Sequence, residues 1–122
     1  MRPFLAGLAL ALLIVSPVAA AAGASITATD TTFPGQSFIT YVEPNRYDGS
    51  LWARVDCIAL DGPAAGSVGL AQYEKLDGID DWFTIDQTPS WSGGAATCNV
   101  RMLVLNGYRR DRLVAETTFA VN

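Results

Sequence analysis

The sequence contains no histidine, a single lysine and only two cysteines among its 122 residues. Histidine is the commonest general base and the commonest metal ligand in proteins, so its absence disfavours triad catalysis and most zinc sites. Basic residues are also few, because 8 Lys and Arg stand against 12 Asp and Glu, giving a net charge of −4. Nucleic acids and anionic membranes attract clustered positive charge. We therefore expect neither an enzyme nor a nucleic-acid-binding protein.

The first part of the chain has the three features of a secretory signal peptide. Arg2 supplies a positive charge, residues 4–15 are apolar or small, and residues 18–24 are small. The alternative is a membrane anchor that is retained, but spanning needs about 20 apolar residues and Pro17 breaks the apolar helix too early. We expect a signal peptide helix over residues 1–24, a secreted product and no stable membrane anchor after cleavage.

Several registers suit the signal peptidase, among them one ending at Ala20 and one ending at Ala24. The cleavage is therefore expected between residues 20 and 25. The remaining chain is long enough for one hydrophobic core and too short for two. The sequence predicts a single domain over residues 25–122.

Cys57 and Cys98 lie 41 positions apart. This separation does not fit a CxxC redox motif, and no histidine is available to complete a metal site. In an exported protein, an even pair of cysteines is typical of a disulfide. We therefore expect a Cys57–Cys98 bond.

Apolar and polar residues alternate along much of the chain after the leader. For example, the odd positions from 51 to 59 are all apolar, and they alternate with Trp52, Arg54 and Asp56. This period of two predicts half-buried antiparallel strands, and Pro-Gly, Asp-Gly and Asn-Gly pairs mark the turns. One-sided strands bury their apolar faces when two sheets pack together, so the sequence predicts an all-β antiparallel β-sandwich. The seven predicted strands are residues 25–29, 37–43, 51–59, 66–76, 81–86, 96–104 and 113–121.

Both cysteines lie in the middle of an apolar row, which predicts a bond through the core between the two sheets. This arrangement resembles an immunoglobulin-like (Ig-like) domain, in which a cysteine on strand B bonds one on strand F. Residues 113–121 also resemble the last strand of bacterial secreted Ig-like and fibronectin-III-like modules. The resemblance implies an Ig-like β-sandwich with one inter-sheet disulfide. It does not imply antibody-type recognition, because residues 61–81 contain no tryptophan and Ala96 stands where antibody domains have tyrosine.

The densest positive charge follows the sixth predicted strand, at Tyr108, Arg109, Arg110 and Arg112. In an Ig-like sandwich these residues would cap the hairpin between the last two strands, and such loops often bind partners. The alternative is that a charged hairpin tip only keeps the protein soluble.

Strict alternation from an inward-facing Cys98 turns Leu103, Leu105 and, on the next strand, Val114 outward. A contiguous aliphatic patch on an outer face would mark an interface with a protein partner or with a second copy of the chain. The alternative is a β-bulge that turns these residues inward.

Another candidate region is residues 77–86, which hold Asp77, Asp80, Asp81 and Asp86. Carboxylate pairs serve glycoside hydrolysis, and carboxylate clusters also bind calcium. The alternative for these carboxylates is a hydrated acidic turn.

Six aromatic residues are candidates for contact with sugar rings: Trp52, Trp82, Trp91, Tyr47, Tyr73 and Tyr108. The alternative for these aromatic residues is that they belong to the core.

The sequence therefore favours a secreted, non-catalytic binding or structural module. The alternative function is a small secreted carbohydrate-active or carbohydrate-binding accessory protein that uses residues 77–86. Neither function leads us to expect a cofactor.

Overall fold

The computed structural model describes residues 22–47, 49–76, 81–106 and 111–122. These residues form seven strands and no helix, so none of them belongs to a helix that could cross a membrane. All seven strands coincide with predicted segments, and the all-β prediction is confirmed. The strands are β1 (Ser25–Ala28), β2 (Gly35–Val42), β3 (Ser50–Ala59), β4 (Val68–Lys75), β5 (Asp81–Ile85), β6 (Ala96–Leu105) and β7 (Arg112–Val121).

The strands form two antiparallel sheets whose inner faces pack against each other. The three-stranded sheet has the order β1-β2-β5, and the four-stranded sheet has the order β4-β3-β6-β7. Ile39 and Phe83 of the first sheet and Val55, Val100 and Met102 of the second are almost fully buried in one core. The predicted antiparallel β-sandwich is therefore confirmed, and its connectivity is consistent with an Ig-like fold.

The Cys57–Cys98 disulfide is present, but it does not join the two sheets. Cys57 on β3 lies directly opposite Cys98 on β6, with 4.0 Å between their Cα atoms, and both strands belong to the four-stranded sheet. The bond is confirmed and its predicted inter-sheet position is wrong. Alternation correctly predicts that both cysteines face the core, but it carries no information about which sheet a strand joins.

A β-bulge interrupts the pairing of β6 with β7. Met102 pairs with Ala115 and Leu103 pairs with Leu113, so Val114 is an extra residue on β7 and turns into the core, where it is fully buried. Leu103 stays on the outer face, opposite Trp52, but is only 5% exposed.

The prediction that Leu103, Leu105 and Val114 form an exposed aliphatic patch is therefore wrong. The β-bulge alternative is confirmed at Val114, because the bulge reverses the direction of its side chain. Leu105, at the end of β6, is half-buried.

Backbone hydrogen bonds join the segment after β1 to the end of β7 along one side of the sandwich. The Thr31 N–H donates to the carbonyl of Ala120, and the Asn122 N–H donates to the carbonyl of Thr31, both at 2.9 Å. On the opposite side, β4 and β5 are the edge strands of their respective sheets. The outer faces of the two sheets are the broad surfaces that the fold leaves for binding.

Candidate functional site

The predicted binding tip lies mostly outside the described residues, which exclude Tyr108, Arg109 and Arg110. Arg112 is described and is exposed at the start of β7. Its guanidinium carbon lies 5.0 Å from the centre of the Tyr47 ring, a cation–π contact. Arg112 is therefore held against the body of the domain.

In the predicted acidic region, Asp77 and Asp80 lie outside the described residues, whereas Asp81 contacts Glu74 on β4. Burial, followed by the hydrogen bond and the charge of Asp81, raises the pKa of Glu74 to about 7. Hydrogen bonds from Glu74 and from the Trp82 backbone N–H lower the pKa of Asp81. Glu74 therefore holds its proton to a higher pH than Asp81 does.

The direct contact between Glu74 and Asp81 differs from the geometry of a glycosidase pair. Glycosidases hold their two carboxyl groups about 5 Å or more apart, so that the sugar and in some cases a water fit between them. A hydrogen-bonded pair leaves no such space. The pair lies between β4 of one sheet and β5 of the other and does not have the spacing of a glycosidase pair.

The outer face of the four-stranded sheet carries a continuous group of charged and aromatic side chains, which we call the arginine face. Alternation along β3 places its polar residues outward, because Ala53, Val55 and Cys57 fill the core. Residues that are directly opposite in an antiparallel pair project to the same face. The arginine face comprises Trp52, Arg54 and Asp56 of β3, Tyr73 of β4, opposite Arg54, Arg101 of β6, also opposite Arg54, and Glu116 of β7, opposite Arg101.

Ion pairs fix the centre of the arginine face. Arg54 donates from Nε and Nη2 to Asp56 Oδ1 at 3.1 and 2.9 Å, and Arg101 Nη2 donates to Asp56 Oδ2 at 3.1 Å. The hydrogen bond with Asp56 is the main cause that raises the pKa of Arg54 further above its ordinary value. Two guanidinium groups thus share the Asp56 carboxylate, and Glu116 lies opposite Arg101, so the face carries two cationic and two anionic side chains.

Aromatic rings extend the arginine face toward β4. The Arg54 guanidinium carbon lies 5.0 Å from the centre of the Tyr73 ring, and the rings of Trp52 and Tyr73 meet edge to face at 6.4 Å. Tyr73 is 41% exposed. The face therefore presents an ordered surface of aromatic and charged side chains to solvent.

The outer face of the three-stranded sheet has a different chemistry. It is formed by hydroxyl, amide and aromatic side chains, and we call it the threonine–tryptophan face. Trp82 on β5 is 54% exposed, and its ring centre lies 4.8 Å from that of Phe38 on β2. The members of the face are Ser25, Thr27, Gln36, Phe38, Thr40, Trp82, Thr84 and the 56% exposed Val42.

Trp91, also a candidate for sugar contact, belongs to the core. It is 2% exposed, and its ring meets the edge of Phe33 at 4.9 Å. A Cβ added to Gly69 would lie 2.7 Å from Trp91 Cβ and Cγ, so the indole packs directly on the β4 backbone. Trp91 cannot offer its ring to a ligand.

Sequence reasoning placed Arg54, Asp56 and Trp52 outward but did not identify the arginine face. Asp56 and Arg101 are 45 residues apart, and only the β3–β6 register brings them together. A signal was present, since each charged residue alternates with core residues on a long strand. The strand order needed to pair them is not encoded in that alternation.

The chain matches no protein-family model, and no curated protein or solved structure matches it. The resemblance to Ig-like and fibronectin-III-like families therefore stays a prediction. The chemistry of the two outer faces is the basis for the functional proposals.

Proposed function

We propose that this protein is a secreted, non-catalytic binding module that engages a protein partner through the arginine face. The observation that carries the proposal is the contiguous, partly exposed group formed by Trp52, Arg54, Tyr73 and Arg101 around Asp56. Tryptophan, tyrosine and arginine are the residue types that dominate the binding energy of protein interfaces. Their concentration on one sheet face supports this role.

The order within the face favours tight binding. Arg54 is fixed by Asp56 on one side and by the Tyr73 ring on another. A side chain that is already ordered loses less conformational entropy when a partner binds. The guanidinium N–H groups that Asp56 does not occupy can pair with carboxylates of a partner in fork geometry.

Secretion is supported by the Cys57–Cys98 bond, because disulfides persist mainly in oxidising compartments. The features expected of a signal peptide in residues 1–24 point to the same destination. A module of this kind would act outside the cytoplasm, where a covalently braced domain resists unfolding.

The test is capture of extracellular proteins by the immobilised protein and by matched variants. Tyr73→Ala and Arg101→Ala each remove one member of the arginine face, and Arg46→Ala removes an exposed arginine in the loop after β2. We expect each face variant to weaken capture of a specific protein by about 30-fold, the effect of a typical interface hot spot. Arg46→Ala should bind like the wild type.

The proposal would be overturned if the wild type captured no protein, or if Arg46→Ala weakened binding as much as the face variants. Self-association would make the partner a second copy of the chain. Sedimentation velocity of the wild type and of Arg101→Ala detects this case, because the variant should then shift to the monomer.

A further inference from the structure

The threonine–tryptophan face is organised as parallel rows of cross-strand neighbours. Gln36 and Phe38 on β2 lie opposite Thr84 and Trp82 on β5. Thr40, further along β2, lies opposite Thr27 on β1. Residues two apart on a strand are about 7 Å apart, so the three rows span about 14 Å. An aromatic row is therefore flanked on both sides by rows that form hydrogen bonds.

The aromatic row presents a supported ring. Phe38 is half-buried and lies under Trp82 at 4.8 Å and an interplanar angle of 48°. The Trp82 backbone N–H donates to Asp81 Oδ1 at 2.8 Å, which fixes the strand at this position. Trp82 nevertheless is 54% exposed, so its ring is accessible to a ligand.

The flanking rows consist of neutral groups that both donate and accept hydrogen bonds. The hydroxyls of Thr27 and Thr40 are 2.6 Å apart, and Gln36 Nε2 donates to Thr84 Oγ1 at 3.3 Å. A threonine hydroxyl carries one donor and two acceptor positions, so each keeps capacity for a ligand. These pairs hold the side chains in place before a ligand arrives.

The charge of the sheet narrows the class of ligand. The sequences of β1, β2 and β5 contain no lysine or arginine, and their one acidic residue is Asp81. Nucleic acids, phosphorylated groups and anionic membranes all need positive charge at the binding surface. A protein partner of the kind proposed for the arginine face would meet no cationic anchor here.

A neutral carbohydrate chain has the complementary chemistry. Its ring C–H groups carry slight positive charge and suit the negative face of an indole, and its hydroxyls pair with threonine and glutamine. We infer that the threonine–tryptophan face binds a neutral polysaccharide chain, with Trp82 as the stacking platform and the flanking rows as hydrogen-bond partners. A surface about 14 Å long suits several sugar units and not a single one.

This inference uses the sheet face opposite the arginine face and does not depend on the protein partner proposed there. It relocates the carbohydrate-binding alternative from a carboxylate pair to a flat face. Because Trp82 is exposed and at the edge of its sheet, its replacement should leave the core intact.

The experiment measures retention on insoluble cellulose, chitin and mixed-linkage glucan, with polygalacturonate gel as an anionic comparison. The variants are Trp82→Ala and Thr84→Ala, with Trp52→Ala on the opposite face as the matched tryptophan control. We expect the wild type to bind at least one neutral polysaccharide and Trp82→Ala to lose about tenfold in affinity. Thr84→Ala should lose less affinity for the polysaccharide than Trp82→Ala does. Trp52→Ala should bind the polysaccharide like the wild type.

Thermal unfolding of each variant shows whether the fold is retained. The inference is overturned if no neutral polysaccharide binds, if only polygalacturonate binds, or if a folded Trp82→Ala binds like the wild type. It is also overturned if Trp82→Ala abolishes self-association of the wild type, because a second copy would then cover the face. Capture of a protein by the arginine face would be unaffected by any of these outcomes.

Discussion

Removal of the Cys57–Cys98 bond tests how a brace within one sheet stabilises the whole sandwich. The bond closes a loop with a sequence separation of 41 residues. In the chain-entropy model, such a loop restricts the unfolded chain by about 4 kcal/mol at 25 °C. This is a large fraction of the 5–15 kcal/mol that typically stabilises a domain, so the effect should be readily measurable.

The loop-entropy effect acts on the unfolded state, so it should appear although the two strands are already neighbours in the fold. Both cysteines are fully buried, and replacing both with alanine would add the cost of a cavity. We therefore compare Cys57→Ala/Cys98→Ala with Cys57→Val/Cys98→Ala, in which valine refills part of the space. Urea unfolding followed by tryptophan fluorescence reports on both, because Trp91 is buried in the core.

With a urea dependence of about 1–2 kcal/mol per M, the midpoint should fall by about 2–4 M. Both variants should still fold, because β3 and β6 keep their full ladder and the core still holds the two sheets together. A midpoint shift below about 0.5 M in both variants would refute the reasoning from loop entropy. A marked fall in the urea dependence would contradict the expectation that the two sheets stay packed without the bond.

Three further predictions concern single positions. Glu74→Gln should remove a loss of stability that the wild type shows as pH rises from about 4.5 to about 7. The raised pKa of Glu74 means that the fold favours its protonated form, so this contribution is fully present below pH 4.5 and is lost as pH rises through about 7. Gly69→Ala should cost about 1–3 kcal/mol in urea unfolding, because the added Cβ overlaps Trp91. Intact mass of the exported protein should show that Ala24 is retained, because Ala24 is buried in the core.

Each of these has a distinct contrary outcome. If the wild type and Glu74→Gln show the same pH dependence of the unfolding midpoint, protonation of Glu74 does not contribute to the stability of the fold. If Gly69→Ala unfolds like the wild type, the indole of Trp91 moves without cost. If the measured mass corresponds to a chain that begins after Ala24, the fold does not need the core contact of that residue.

The strands could be predicted from the sequence because each signal is local. Ser50–Ala59 and Ala96–Leu105 alternate so regularly that a period of two identifies both strands and their inner faces. The inward direction of Cys57 and Cys98 follows from the same pattern. What the pattern lacks is the neighbour of each strand, which depends on contacts between residues far apart in the sequence.

The errors at the outer faces have the same origin. Val114 was predicted to face outward because alternation assumes that no residue is inserted, and the segment around it has no glycine to mark a bulge. The meeting of Arg54 and Arg101 on Asp56 requires the register of two strands. The sequence marks Trp82 as a candidate for sugar contact, and this stays a prediction; its support by Phe38 depends on the pairing of β2 with β5.

The sulfur bond between β3 and β6 also fixes their alignment. Cys57 faces Cys98, and three positions along both strands Arg54 faces Arg101. A slip of one residue would turn Arg101 into the core and Met102 out to solvent, since side chains alternate across a strand. The disulfide prevents that slip. The Cys57–Cys98 bond on the inner face therefore keeps Arg54 and Arg101 opposite each other on the outer face of the same sheet.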